Sequence, residues 1–192
     1  GNFVDPSDID VYSGGVEAAS LRVTLRSAKL MGWTLIGTDV GTAFLNAPLD
    51  LPYKIVVYPP SIFVQAGICD ASEVWLVHRA IYGLRESPKA WGDYRDSELR
   101  KMMVIFEGSF VVLRRCTVDT ALWRLQKLET AVFKKRLPVE VRVRIQGFVG
   151  ITTIGILVTY VDDFLVAAER KLAELFMHTI TSMWKCTTPE CI

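Results

Sequence analysis

The spacing of apolar positions changes period several times along the chain, and each change predicts an element. Leu21, Leu25, Ala28 and Met31 recur at helical spacing within Glu17 to Met31, and Gly32 is placed to end that helix. Trp33 to Val40 reads as a core strand with Asp39 at its end. Asn46 to Tyr53, with Pro48 and Pro52, is a turn region, followed by a short strand from Lys54 to Tyr58 that Pro59-Pro60 terminates. Glu73 to His78 is a further strand. Ser87-Pro88 should open a helix, with Ser as the cap and Pro at the first helical position. Trp91, Tyr94, Glu98, Met102 and Phe106 recur along it, which assigns most of its aromatic content to packing. Asp119 to Lys135 has helix-favouring composition, whereas Val139 to Ile145 alternates strictly and predicts a half-exposed strand. Ile151 to Tyr160 and Phe164 to Ala168 are apolar strands that flank Val161-Asp162-Asp163. Arg170 to Trp184 is helical, with Leu172, Phe176, Ile180 and Met183 or Trp184 facing inward. The pattern as a whole is α+β, one mostly antiparallel sheet covered by helices.

Composition narrows the class. The chain has 192 residues, 51% of them hydrophobic, which suffices for one sizeable core and excludes a disordered chain. A mean hydropathy of +0.28 is on the apolar side for a globular domain, so some apolar surface is expected to meet partners. Charge nearly cancels, with 22 Lys+Arg against 21 Asp+Glu. Its distribution is uneven, since Arg124, Lys127, Lys134, Lys135, Arg136, Arg142 and Arg144 face only Glu129 and Glu140 in the same stretch. That stretch reads either as a phosphate-facing surface or as a solvated face. Cys69, Cys116, Cys186 and Cys191 form no CxxC pair and no metal grouping with His78 or His178, which predicts free thiols. The longest apolar stretch is broken by Thr, Gly and the Asp pair, so no membrane span is expected. Proline and glycine positions mark no independent second domain, and there is no repeat.

The chemistry concentrates in Tyr160-Val161-Asp162-Asp163, where two adjacent acids stand at the tip of an apolar hairpin. Acids there are costly unless water, a partner or a metal meets them, although Asp is also an ordinary turn residue. Asp39 is a second acid at a strand end. If the strands are neighbours, three carboxylates converge and raise one another's pKa, which Mg2+ ions would relieve. Such a cluster suits two-metal phosphoryl transfer.

Three blocks resemble the reverse transcriptases of copia-type retrotransposons: Asp39-Val40-Gly41-Thr42-Ala43-Phe44-Leu45-Asn46-Ala47, Ala80-Ile81-Tyr82-Gly83-Leu84-Arg85-Glu86-Ser87-Pro88-Lys89-Ala90-Trp91, and Tyr160-Val161-Asp162-Asp163. They occur in the family's order, and the likeness runs from about residue 18 to 184. It implies a reverse-transcriptase-like palm with partial fingers over 18–192, a loosely ordered leading segment over 1–17, and no thumb. It implies an RNA-directed DNA polymerase that joins a deoxynucleoside triphosphate to a primer 3'-OH and releases pyrophosphate. Asp39, Asp162 and Asp163 would be the catalytic acids and ligands of two Mg2+ ions, with Mn2+ as the alternative. Val40, Phe44, Tyr82 and Gly83 would touch the nucleotide, Phe44 as the steric gate under its sugar. Arg85, Lys89, Tyr160 and Val161 would meet template or primer. Implied partners are an RNA or DNA template with its primer, deoxynucleoside triphosphates, and the thumb, RNase H and integrase of a polyprotein; no membrane is implied, and the setting is a cytoplasmic virus-like particle or the nucleus. The family commonly carries Gln where this chain has Glu86. Two other readings stand beside the polymerase: a non-catalytic nucleic-acid-binding remnant, and another two-metal enzyme such as a nuclease.

Overall fold

A computed structural model describes residues 15–128 and 152–192. The chain forms two compact units, one containing Thr42–Arg95 and the other Gly14–Gly41 with Asp96–Ile192. In chain order the elements are α1 (Ala18–Met31), β1 (Thr34–Asp39), α2 (Ala43–Asn46), β2 (Val56–Val57), α3 (Ser61–Gln65), β3 (Trp75–Leu76), α4 (Ser87–Lys101), β4 (Met103–Phe106), β5 (Ser109–Arg115), β6 (Leu122–Leu128), β7 (Thr152–Tyr160), β8 (Asp163–Ala168), α5 (Arg170–Met183) and β9 (Glu190–Cys191). No helix among the described residues is long and apolar enough to cross a membrane.

The larger unit is built on a seven-stranded antiparallel sheet in the order β4-β5-β6-β7-β8-β1-β9. One face carries Val111, Leu113, Trp123, Leu125, Leu157, Phe164 and Val166, all buried. Helix α5 packs against β1 and β8 and buries Leu172, Ala173, Phe176, Met177 and Ile180. Trp184, just past that helix, stacks on Phe164 with ring centroids 5.6 Å apart, so Trp184 is the inward residue at the helix end. Farther along, Arg115 pairs with the buried Asp96 at 2.9 Å, and both Arg100 and Arg115 lie over the Trp123 ring. These arginines cover the Trp123 ring, and the charge of Arg115 is matched by Asp96.

Several expectations need correction. The helix predicted through Phe106 stops at Lys101, and Met103–Phe106 is instead a strand turned by Glu107 and Gly108, at φ 48° and 70°. Positive φ at both loop residues is what a two-residue hairpin demands. The helix expected over Asp119 to Lys135 is not formed in its described part, since Leu122–Leu128 is β6. Trp123 and Leu125 are buried while Arg124 is exposed, so the slot between β5 and β7 overrides helix propensity. The predicted strand at Val139 to Ile145 lies outside the described residues, as do residues 1–14. Helix α1 has the predicted extent but another inner face: Thr24 and Ala28 are buried, whereas Leu25 and Met31 are exposed. Small residues let the helix lie close to its neighbour β8. Ser87 is already helical and its Oγ donates to the Ile81 carbonyl at 2.6 Å, closing the preceding loop rather than capping helix amides.

Gly155 has a packing reason. A Cβ there would come within 2.8 Å of the Ala168 Cβ and 2.9 Å of both the Ala167 carbonyl and Leu125 Cδ2. The register of β6 against β7 shifts beside it, between Leu125 and Gln126.

The smaller unit holds α2, α3 and the two-stranded sheet of β2 and β3, where the longer strands expected over Lys54 to Tyr58 and Glu73 to His78 shrink to two residues each. No residue of α3 is buried.

Candidate functional site: an acid row at one end of the sheet

Strand β1 runs antiparallel to β8, which is joined to β7 by the Val161-Asp162 turn, and the register sets the acids. Asp39 is the direct partner of Asp163, and Asp163 is the direct partner of Tyr160. Directly opposed residues share a sheet face, so Tyr160, Asp163 and Asp39 form one row across three strands. The Asp162 carbonyl accepts the Val40 N–H at 3.0 Å, which ties the hairpin tip to the end of β1. Val161 sits at φ 51°, a left-handed conformation that a β-branched side chain rarely adopts. The strain is held in place by the paired strands on either side.

The electrostatics follow from this geometry. Burial pushes the Asp39 carboxyl above its ordinary range, and the Asp162 charge adds to it. Asp163 is likewise raised, first by burial and then by Asp162 and Asp39. The acids therefore feel one another, and the row favours positive charge.

A segment that sequence reasoning passed over completes the row. Thr187 receives the Asp39 N–H on its hydroxyl at 3.0 Å and donates its own N–H to the Asp39 carbonyl at 2.9 Å. The Thr38 hydroxyl bonds the Thr187 carbonyl at 2.8 Å, and Gly41 donates to the Lys185 carbonyl at 2.9 Å. Residues 185–187 thus clasp the end of β1 and fix the Asp39 backbone. Short polar side chains after a helix give no periodic signal, so only the fold reveals the clasp. Beside the row lies a cleft of about 660 Å³ lined by Leu21, Gly37, Asp39, Val158, Tyr160 and Asp163 among others.

Asp119 is the second residue that sequence reasoning missed. It is 6% exposed and accepts the Glu17 N–H at 3.0 Å and the Ala121 N–H at 2.9 Å. Burial raises its pKa, but the Ser20 hydroxyl and these two amides outweigh burial and hold it below the ordinary range. It acts as a remote cap for α1, whose own N-cap, Glu17, makes no side-chain cap bond.

The remaining predicted residues belong to the smaller unit. The Ala80 N–H donates to the Ala47 carbonyl at 3.0 Å, and Arg79 donates to the Asn46 carbonyl at 2.8 Å, so the loop after α2 is held against the segment before Tyr82. This places Phe44 and Tyr82 with ring centroids 4.7 Å apart, and Tyr82 is exposed. Gly83 has φ 91°, which a side chain would strain, in the loop that leads to α4. Lys89 is engaged by Asp93 at 2.9 Å. Glu86 is 6% exposed; its Oε1 accepts the Tyr53 hydroxyl at 2.9 Å, and its Oε2 has no hydrogen-bond partner among the described residues.

Carboxylate oxygens are the right donors for a hard divalent cation. Among the described residues, however, no group of three or more His, Cys, Asp or Glu is gathered so that it could hold a metal ion. The row matches a cation in charge without making a closed coordination shell.

No protein-family model matches the chain, and no solved structure does. It is similar to a Saccharomyces cerevisiae protein named for transposon Ty5-1, with 34% identity over 86 residues, 44% of this chain and 27% of that protein. It is also similar to the retrovirus-related Pol polyprotein from transposon RE2 of Arabidopsis thaliana, with 24% identity over 174 residues, 91% of this chain and 9% of the polyprotein. The chain is thus a distant and partial homologue of retrotransposon polyprotein sequences.

Proposed function

We propose that this chain is the palm-like piece of a copia-type reverse transcriptase and that it acts as a nucleic-acid-binding remnant rather than as a working polymerase. The lineage is supported by the three motif blocks and by the two transposon relatives. The observation that carries the non-catalytic reading is the acid row itself, which lacks a gathered set of three ligands among the described residues. Two ions held about 4 Å apart need shared ligands. Here Asp39 and Asp163 face each other across strands while Asp162 occupies the turn. Binding would use the exposed aromatic surface of Tyr160 in the sheet unit for a base. Within the smaller unit, the exposed Tyr82 ring would serve a base and Arg85 a phosphate. Equilibrium binding of a labelled RNA or DNA strand tests this. Salt-sensitive binding is expected, and no binding at low salt would sink the reading.

The polymerase reading remains as a second one because a specific observation favours it, namely the Asp39–Asp163 register and the raised pKa of both acids. Under it Asp39, Asp162 and Asp163 would hold Mg2+, which would supply charge neutralisation for nucleotidyl transfer. The chain's own part would be to fix those acids through the Val40–Asp162 bond and the Thr187 clasp. Mg2+-dependent primer extension that Asp162→Asn abolishes would establish it; equal extension by both proteins would reject it.

A further inference from the structure

The cleft beside the acid row lies wholly within the sheet unit, and its floor is two rows of one sheet face. Tyr160, Asp163 and Asp39 form the first row. Two residues farther along each strand, Val158, Leu165 and Gly37 are direct cross-strand partners and form the second. Residues two apart on a strand share a side, so an apolar floor lies directly behind the acids. Leu21 of α1 and Ile192, just past β9, add apolar lining. Gly37 keeps the floor low: a Cβ there would come within 3.2 Å of Ile192 Cδ1 and meet nothing else closer than 3.7 Å.

The charged groups of the cleft have one sign. Asp39, Asp163 and Glu190 line it, Glu190 as the cross-strand partner of Gly37, and no Lys, Arg or His stands among the described lining residues. The Thr38 hydroxyl is engaged by the Thr187 carbonyl, and the Thr187 hydroxyl by the Asp39 amide. Carboxylates are thus what the polar end of a ligand would meet, half-buried at Asp39 and exposed at Asp163 and Glu190.

We propose that this cleft binds an amphipathic organic cation, a protonated amine carried on an apolar ring body. Its volume of about 660 Å³ is in the range of small-molecule sites. The Val158–Leu165–Gly37 floor takes the ring body out of water, and Asp39 and Asp163 attract the ammonium group. A bare divalent ion is a poorer occupant, because it gains nothing from an apolar floor and no three-ligand group is gathered among the described residues. The proposal stands independently of nucleic-acid binding.

The test is equilibrium dialysis at low salt against three probes of one shape: naphthylmethylammonium, the neutral naphthylmethanol and the anionic naphthylacetate. Wild type should bind the cation about tenfold more tightly than the alcohol, and the anion more weakly than either. Asp39→Asn with Asp163→Asn should bring cation and alcohol within about twofold of each other while alcohol binding stays as in wild type. Gly37→Val, which sets methyl groups on the floor, should weaken both by about tenfold. Each variant is first shown to melt cooperatively, and the Asn pair decides alone if Gly37→Val does not fold. No cation binding by wild type, or equal binding of cation and alcohol, overturns the proposal. A full cation preference that survives the Asn pair, or undiminished binding to folded Gly37→Val, places the probes elsewhere and overturns it as well.

Discussion

In the sheet unit Trp123, Phe164, Phe176 and Leu157 are fully buried, whereas between Val56 and Leu76 the side chains of Val56, Tyr58, Ile62, Ile68 and Val74 stand in solvent. Both regions are rich in apolar residues, so composition does not separate them. The difference is in hydrogen-bonded backbone. Strands of six to nine residues in β5 to β8 have a paired strand on both sides, while β2 and β3 pair over two residues each and anchor little. Acids placed at the end of the larger sheet are therefore held in a fixed row, and the aromatic pair Phe44–Tyr82 sits on a framework of loops and short elements.

Core truncation offers the largest contrast. Trp123→Ala should lower stability by about 3–5 kcal/mol, whereas Ile62→Ala should change it by less than about 0.5 kcal/mol, read by urea unfolding. Equal losses would show that the smaller unit has a core after all. Asp119→Ala should come next, at about 2 kcal/mol, because it strands the Glu17 and Ala121 amides. Asp119 has a folded pKa below its unfolded value, so its contribution is present above about pH 4 and fades as pH falls through the folded pKa. Wild type and Asp119→Ala should accordingly converge in melting temperature in acid, and a gap independent of pH would contradict this.

A smaller effect is expected in the other unit. Glu86→Gln keeps an acceptor for Tyr53 and leaves a polar atom where Oε2 has no hydrogen-bond partner among the described residues, so it should change stability by no more than about 1 kcal/mol in the same unfolding assay. The smallest is Asp163→Asn. Asp163 has a raised folded pKa and so opposes folding at neutral pH, a penalty that disappears as pH falls below its unfolded value. The carboxylate loses part of its solvation at the strand end but stays accessible enough for solvent to screen it, so the substitution should stabilise by no more than about 0.5 kcal/mol at pH 7 in thermal melts.

The acid row was legible because its residues sit at the ends of strongly apolar strands, and the apolar runs leading to Tyr160 and Asp39 placed those ends correctly. Helix α5 was legible for the same reason in its own period. What failed was the stretch after α4, where Met102 and Phe106 continue a helical spacing although the chain has already turned into β4. There the two-residue loop Glu107-Gly108 was the only local sign, and the partners that make β5 and β6 strands are remote in sequence. The Thr187 clasp and the Asp119 cap were illegible for a related reason, since each depends on backbone groups that only tertiary structure brings near.

The most direct measurement is single-nucleotide primer extension with Mg2+ on an RNA template, run at protein concentrations where binding of the same primer-template has been measured. Bound primer-template that is not extended, by wild type or by Asp162→Asn, is the predicted result. Extension by wild type that Asp162→Asn abolishes would contradict the account and make the acid row a working polymerase centre.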